Sequence, residues 1–114
     1  MRHKLAGDLK RSPKWKRITD GVREGLGPFA AFGVGGAFCA AAALALRDQI
    51  KANILVLAPS EDAAHRIYED LLALDPDTLL LPVRPVELRP VAAHSSEAVH
   101  ARICVLSALR QGMQ

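Results

Sequence analysis

A cluster of three glycines separates a short apolar run, Phe29 to Phe32, from a long alanine-rich stretch, Ala37 to Lys51. The three glycines are Gly33, Gly35 and Gly36. A strand, a glycine turn and a helix in this order form the unit that holds phosphate in many nucleotide-binding proteins. The pattern therefore predicts a strand, a turn and then a helix that is buried against a sheet, because its residues are apolar nearly all round.

Two further apolar runs, at 53–59 and 78–81, alternate with helical patterns along the chain. The run NILVLAP is typical of a parallel strand that is covered on both faces. The helical patterns cover Lys14 to Leu26, Ser60 to Leu74 and Glu97 to Gly112, and a proline-containing connection occupies 82–93. This alternation predicts an α/β fold, with a parallel sheet of about three strands and flanking helices.

The expected inward positions of the last two helices lie on one apolar stripe each. They are Ala64, Ile67, Leu71 and Leu74 in one helix, and Val99, Ile103, Leu106 and Leu109 in the other. The two cysteines fall inside apolar helical patterns, Cys39 in the alanine-rich stretch and Cys104 in the last helix. They match no metal spacing, which indicates buried free thiols in a reducing compartment.

The charge of the chain is uneven. Residues 1–25 carry eight basic side chains against three acidic ones, whereas residues 26–114 carry seven against nine. We divide the chain accordingly into a basic N-terminal arm with the first helix, 1–25, and a partial α/β module, 26–114. The arm is either a solvated lead-in or a surface for nucleic acid or acidic protein. The candidate nucleic-acid contacts are Lys10, Arg11, Lys14, Lys16 and Arg17.

Targeting and membrane signals are missing from the sequence pattern. The first hydrophobic stretch begins at Leu26, after a long charged segment, which is not typical of a signal peptide. The apolar residues 37–46 form too short a run to span a bilayer. These features predict a cytoplasmic protein that makes no membrane contact.

The glycine cluster lacks the chemistry of a working phosphate loop. When the pattern G-x-x-x-x-G-K-[ST] is started at Gly33, the second glycine falls on Phe38, the lysine on Cys39 and the hydroxyl on Ala40. The dinucleotide pattern G-x-G-x-x-G also meets Phe38, and its acidic ribose partner is missing after the next strand. We therefore expect a degenerate nucleotide loop and no cofactor.

Catalytic and metal constellations are also weak. His94, Glu97 and His100 are spaced three apart, which spreads them over about a third of the helix circumference. Capping or surface roles are favoured over metal binding for this group. The sequence therefore predicts no catalytic residue and no metal site.

Several segments together resemble the N-terminal UvrB-homology module of the bacterial transcription-repair coupling factor, Mfd. The similarity covers about residues 24–112: the degenerate glycine loop, the run ILVLAP, the helix around DAAHRIYEDL and the segment VAAHSSE before the last helix. That last helix is similar to the family pattern E-x-x-x-x-R-[LI]-x-V-L-x-x-L. The matching positions are Glu97, Arg102, Ile103, Val105, Leu106 and Leu109.

The resemblance implies a fold like the first domain of UvrB, with a degenerate P-loop, in an incomplete domain. It implies a module without catalysis of its own, within an ATP-dependent, helicase-like DNA translocase that acts in nucleotide excision repair. The parent protein engages UvrA and RNA polymerase. A missing neighbouring strand would leave an exposed sheet edge, through which the chain is expected to self-associate.

Two other functions remain open from the residues. One is a small nucleotide- or dinucleotide-binding α/β protein with a divergent glycine loop. The other is a nucleic-acid-binding protein led by the basic arm, with DNA affinity that falls steeply as salt is raised.

Overall fold

The computed structural model describes residues 2–83 and 96–112. Within these residues the chain forms five α-helices. The helices are α1 (Arg2–Arg11), α2 (Pro13–Arg23), α3 (Ala37–Ile50), α4 (Glu61–Leu74) and α5 (Ser96–Gly112). Residues 24–36, 51–60 and 75–83 connect them without regular secondary structure. The predicted non-helical connection at 82–93 is described only at residues 82–83, which are non-helical, and its remainder lies outside the described residues.

The predicted parallel sheet is wrong, because the described part of the chain contains helices and no strand. The apolar runs 29–32, 53–58 and 78–81 are non-helical, but no two of them are joined by a backbone hydrogen-bond ladder. An apolar run becomes a strand only when a second segment bonds to it. The fold is therefore not the α/β domain that the alternating pattern predicts, nor the UvrB-like arrangement with a degenerate P-loop.

The predicted helices after the glycine cluster are confirmed. Helix α4 begins where Ser60 accepts a hydrogen bond from the backbone N–H of Ala63 (3.2 Å), and Glu61 and Asp62 occupy its first turn. This cap and these carboxylates satisfy free N–H groups and complement the helix dipole. The predicted stripe of α4 is also confirmed, since Leu71 is buried among half-buried neighbours.

The core is formed by small and medium side chains where helices meet. Helix α3 packs against α4, α1 and α2, and α1 also contacts α2. Among the side chains that the structure describes, the buried apolar ones are Leu9, Ala40, Ala41, Ala45 and Leu71. Alanine lets helix backbones approach closely, so the alanine-rich stretch serves helix–helix packing rather than the expected packing on a sheet.

Helix α5 contributes no buried residue to this core. Its expected inward stripe is wrong, because Val99, Ile103, Leu106 and Leu109 are all exposed. The neighbouring face is half-buried instead, with Ala98, Ala101, Val105 and Ala108. Arg102 ties the helix to the preceding connection by donating a hydrogen bond to the carbonyl oxygen of Pro82.

Candidate functional site

The glycine loop takes a shape that only glycine adopts readily. Gly33 has φ of 76°, and Gly36, which precedes the first residue of α3, has φ of 56° and ψ of −142°. A Cβ atom built on either residue would meet no atom within 4 Å. These glycines are therefore required by backbone conformation and not by close packing within the described chain.

Phe38, Cys39 and Ala40, which stand at the second glycine, the lysine and the hydroxyl positions of a phosphate loop, lie in the first turn of α3. The backbone N–H of Cys39 donates to the carbonyl oxygen of Gly36 (3.1 Å), and the Cys39 side chain is half-buried. Ala40 is 1% exposed in the helical core, whereas the Phe38 side chain remains 38% exposed. The position that would carry the magnesium-binding hydroxyl therefore faces other helices, away from any ligand at the loop.

The basic arm is folded into α1 and α2. All five candidate nucleic-acid contacts are exposed: Lys10, Arg11, Lys14, Lys16 and Arg17. Within α2, Thr19 and Gly21 are buried. Three of the bases, Lys10, Arg11 and Lys14, lie around the junction at Ser12 that joins the two helices. The structure thus presents these charges to solvent from helical positions.

The two family-pattern positions on α5 differ in their surroundings. Glu97 lies exposed in the first turn of the helix, where a carboxylate complements the helix dipole. Arg102 is half-buried and bonds to the Pro82 carbonyl. Arg102 therefore has a structural contact that accounts for it without a ligand.

A thiol and an imidazole meet on α5, a pair that the sequence reasoning missed. Cys104 Sγ lies 3.6 Å from His100 Nε2, and both side chains are exposed. The signal was present, because residues four apart share a helix face. The expectation that Cys104 is buried is wrong.

The thiol–imidazole pair lacks the wider arrangement of a catalytic or metal site in the part of the chain that the structure describes. No hydrogen bond from another described group orients His100. No cluster of three or more metal-binding side chains occurs among residues 2–83 and 96–112. His94, from the predicted group with Glu97 and His100, lies outside the described residues.

A polar contact joins α3 to the end of α4. Arg47 donates a hydrogen bond to the carboxylate of Asp75, whose side chain is 15% exposed, and also lies near Asp48. The hydrogen bond to Asp75 raises the pKa of Arg47 above its ordinary value, and the nearby negative charges add to this effect against the opposing effect of burial. Arg47 and Asp75 therefore form a structural contact between two core helices, remote in sequence from the glycine loop.

Comparisons with known proteins add no relative. No family model matches the chain, no curated protein is significantly similar to it, and no solved structure matches it. The resemblance to coupling factors therefore stays a prediction. None of the helices in residues 2–83 and 96–112 is long and apolar enough to cross a membrane.

Proposed function

We propose that the chain is a non-catalytic interaction module from the N-terminal region of a transcription-repair coupling factor. In this role it does not hydrolyse ATP, it contributes to the recruitment of UvrA, and RNA polymerase is reached through other parts of the parent. This places the chain in the cytoplasm. The order of the sequence motifs supports the proposal; the fold does not, because no sheet forms in the described residues.

The first turn of α3 is the observation that carries the non-catalytic part of the proposal. The lysine and hydroxyl positions of a phosphate loop hold Cys39 and Ala40, and Ala40 is buried in the helical core. Phosphate binding in such loops needs a cation and a magnesium ligand beside the backbone amides. Neither group stands at the required position in this turn.

Isothermal titration of the chain with magnesium-ATP tests this part. We expect no saturable heat, because the terminal phosphates would meet no positive charge at the loop. A matched comparison is the variant Gly36→Val, whose side chain strains the positive-φ backbone at the loop. Saturable binding to the unaltered chain that is lost in Gly36→Val would contradict the proposal.

Binding to purified UvrA tests the partner. We expect the unaltered chain, immobilised through its N-terminus, to retain UvrA, and a chain with scrambled residues 61–112 to retain none. If both chains retain UvrA equally, or if neither chain retains it, the result would count against recruitment of UvrA by this module.

We infer a second candidate function, contact with nucleic acid, from the exposed bases of α1 and α2. Lys10, Arg11 and Lys14 lie within five residues of one another at the helix junction, and all three are exposed. Exposed lysine and arginine side chains bind phosphate groups and release counterions, which makes the affinity salt-dependent. This contact is compatible with a module of a DNA translocase.

Fluorescence anisotropy with a short DNA duplex tests this function. Changing Lys10, Arg11 and Lys14 together to Gln should weaken binding. The slope of log affinity against log salt should also become shallower, by up to about three if each side chain contacts one phosphate. The matched control changes Lys51, Arg66 and Arg110 to Gln. These three residues are also exposed, and their replacement removes the same amount of positive charge. Equal losses in the two variants would show a general charge effect and refute a site on the arm.

A further inference from the structure

Residues 53–58, with the sequence NILVLA, form an uncharged apolar segment on the surface. Leu55 and Leu57 are 82% and 84% exposed, whereas Val56 between them is 36% exposed and Ile54 is half-buried. This alternation has the period of two that is typical of an extended chain, whose side chains point to opposite sides in turn. The segment therefore turns one side, with two leucines, to solvent.

The backbone of this segment has no partner in the described chain. None of the hydrogen bonds among residues 2–83 and 96–112 involves an N–H or C=O group of residues 53–58. A row of such groups at strand spacing is complemented by the main chain of another extended segment. The chemistry that fits here is thus an extended peptide with apolar side chains.

A second copy of the same segment meets this requirement. The six residues contain no charge, glycine or proline, so two copies can lie side by side without like charges opposed and without a missing internal donor. Short uncharged segments rich in β-branched and leucine residues are typical of self-pairing strands. The lack of charge favours the same segment over a charged partner peptide.

The positions of the leucines define the register. In an antiparallel pair with Val56 on the twofold axis, Leu55 of each copy faces Leu57 of the other on the solvent side. An axis on Leu55 would instead place Leu57 opposite Asn53, and an axis on Leu57 would place Leu55 opposite Pro59. The register on Val56 therefore pairs leucine with leucine twice, whereas the registers on Leu55 and Leu57 pair a leucine with Asn53 or with Pro59.

The geometry points to self-association of the chain through residues 53–58, paired antiparallel around Val56. This inference does not depend on the proposed function. The pairing site is an unbonded apolar segment and not the edge of a sheet within one chain. A two-stranded pair has only marginal stability in water, so the association is concentration-dependent.

The test measures the molar mass of the full chain by light scattering during size-exclusion chromatography, at rising concentration. Charged variants at the two leucine positions then test the register. Changing Leu55 and Leu57 both to Lys opposes like charges at both leucine pairs and is expected to give a monomer. Changing Leu55 to Lys and Leu57 to Glu places opposite charges at the same pairs and is expected to keep the dimer. Both leucines are more than four-fifths exposed, so circular dichroism should show unchanged helix content in both variants.

The control variant Ile103→Lys alters an apolar residue of α5 that is also exposed, and it should dimerise like the unaltered chain. The inference is overturned if the unaltered chain stays monomeric at every concentration, or if the Lys/Lys variant still dimerises. A monomeric Lys/Glu variant with native helix content would refute the register, and a monomeric Ile103→Lys variant would move the interface to α5.

Discussion

Asp75 gathers several contacts at the point where α4 ends. Besides the hydrogen bond from Arg47, its carboxylate accepts the backbone N–H of Asp77 (3.1 Å), and its carbonyl oxygen accepts the hydroxyl of Thr78 (2.8 Å). Hydrogen bonds to charged groups stabilise a fold more than neutral ones, and a poorly exposed carboxylate depends on its partners. The residue thus joins α3, the end of α4 and the following turn.

Replacing Asp75 with Asn tests this junction, because the side chain keeps its shape and loses its charge. We expect the free energy of unfolding to fall by about 1 kcal/mol, since the partner Arg47 is itself substantially exposed. Urea denaturation measures the loss, and Asp77→Asn, at an exposed position in the same turn, is the control. Equal stability of the two variants would contradict the assigned role of Asp75.

The protonation of Arg47 adds no pH dependence to this contact near neutrality. Its pKa is raised in the folded chain, so its contribution is complete below the unfolded pKa and is lost only as the pH rises through the folded value. Both values lie far above physiological pH. Stability losses on moderate alkalinisation would have to come from other groups.

Helix α3 is the element around which α1, α2 and α4 pack. Its buried positions, Ala40, Ala41 and Ala45, carry the smallest side chain that still favours a helix. Close approach of α1, α2 and α4 leaves little room at these positions for a larger residue. The alanine-rich composition therefore matters for packing distance, and not only for helix propensity.

Replacing Ala45 with Leu should lower the free energy of unfolding by roughly 1–3 kcal/mol, because three extra carbons enter a packed contact. Thermal unfolding followed by circular dichroism measures the effect. Ala37→Leu makes the same chemical change at an exposed position of the same helix and should be nearly neutral. A stabilised Ala45→Leu variant would show an unfilled space beside α3.

Local sequence signals predicted the helices from α2 to α5, but not the segments against which each helix packs. The cap at Ser60 and the stripe of α4 depend on residues within a few positions of one another, so they could be predicted from the sequence. Strand formation depends on a distant segment that supplies hydrogen bonds, and none of the described runs receives one. The unpredicted helix α1 begins in a segment where basic charge obscures the apolar pattern.

At the scale of the whole molecule, the chain is more open than its length predicts. The radius of gyration is 16.7 Å with extents of 54 × 31 × 30 Å, against about 13 Å for a compact chain of this length. Helices α1–α4 share the core, whereas α5 has no buried residue. Segments with few buried contacts open at lower free energy than the core.

Amide hydrogen exchange should therefore distinguish α5 from α3. We expect the amides of α5 to exchange fastest among the helices that follow the glycine loop, and those of α3 to be the most protected. Mass spectrometry of peptides after exchange measures both in one sample. Protection of α5 equal to that of α3 would mean that its exposed stripe is covered in solution.

At the glycine loop too, some features could be predicted from neighbouring residues and others depended on tertiary packing. Its lack of lysine and hydroxyl groups was readable directly from residues 38–40, because phosphate loops need particular residue types at fixed spacing. The burial of Ala40 against other helices required the folded arrangement, whereas the contact between His100 and Cys104 joins residues four apart on one predicted helix and could have been read from the sequence.

Helix positions, the cap at Ser60 and the missing phosphate ligands follow from neighbouring residues, since backbone hydrogen bonds in a helix reach only four residues along the chain. Three outcomes depended instead on which surfaces meet: α3 packs against helices, the run 53–58 stays unpaired, and the larger apolar side chains of α5 face solvent. The same apolar residues suit a sheet, a helical core or an exposed surface. Which of these environments they occupy depends on whether distant segments cover them, and a local sequence pattern does not say which distant segments will do so.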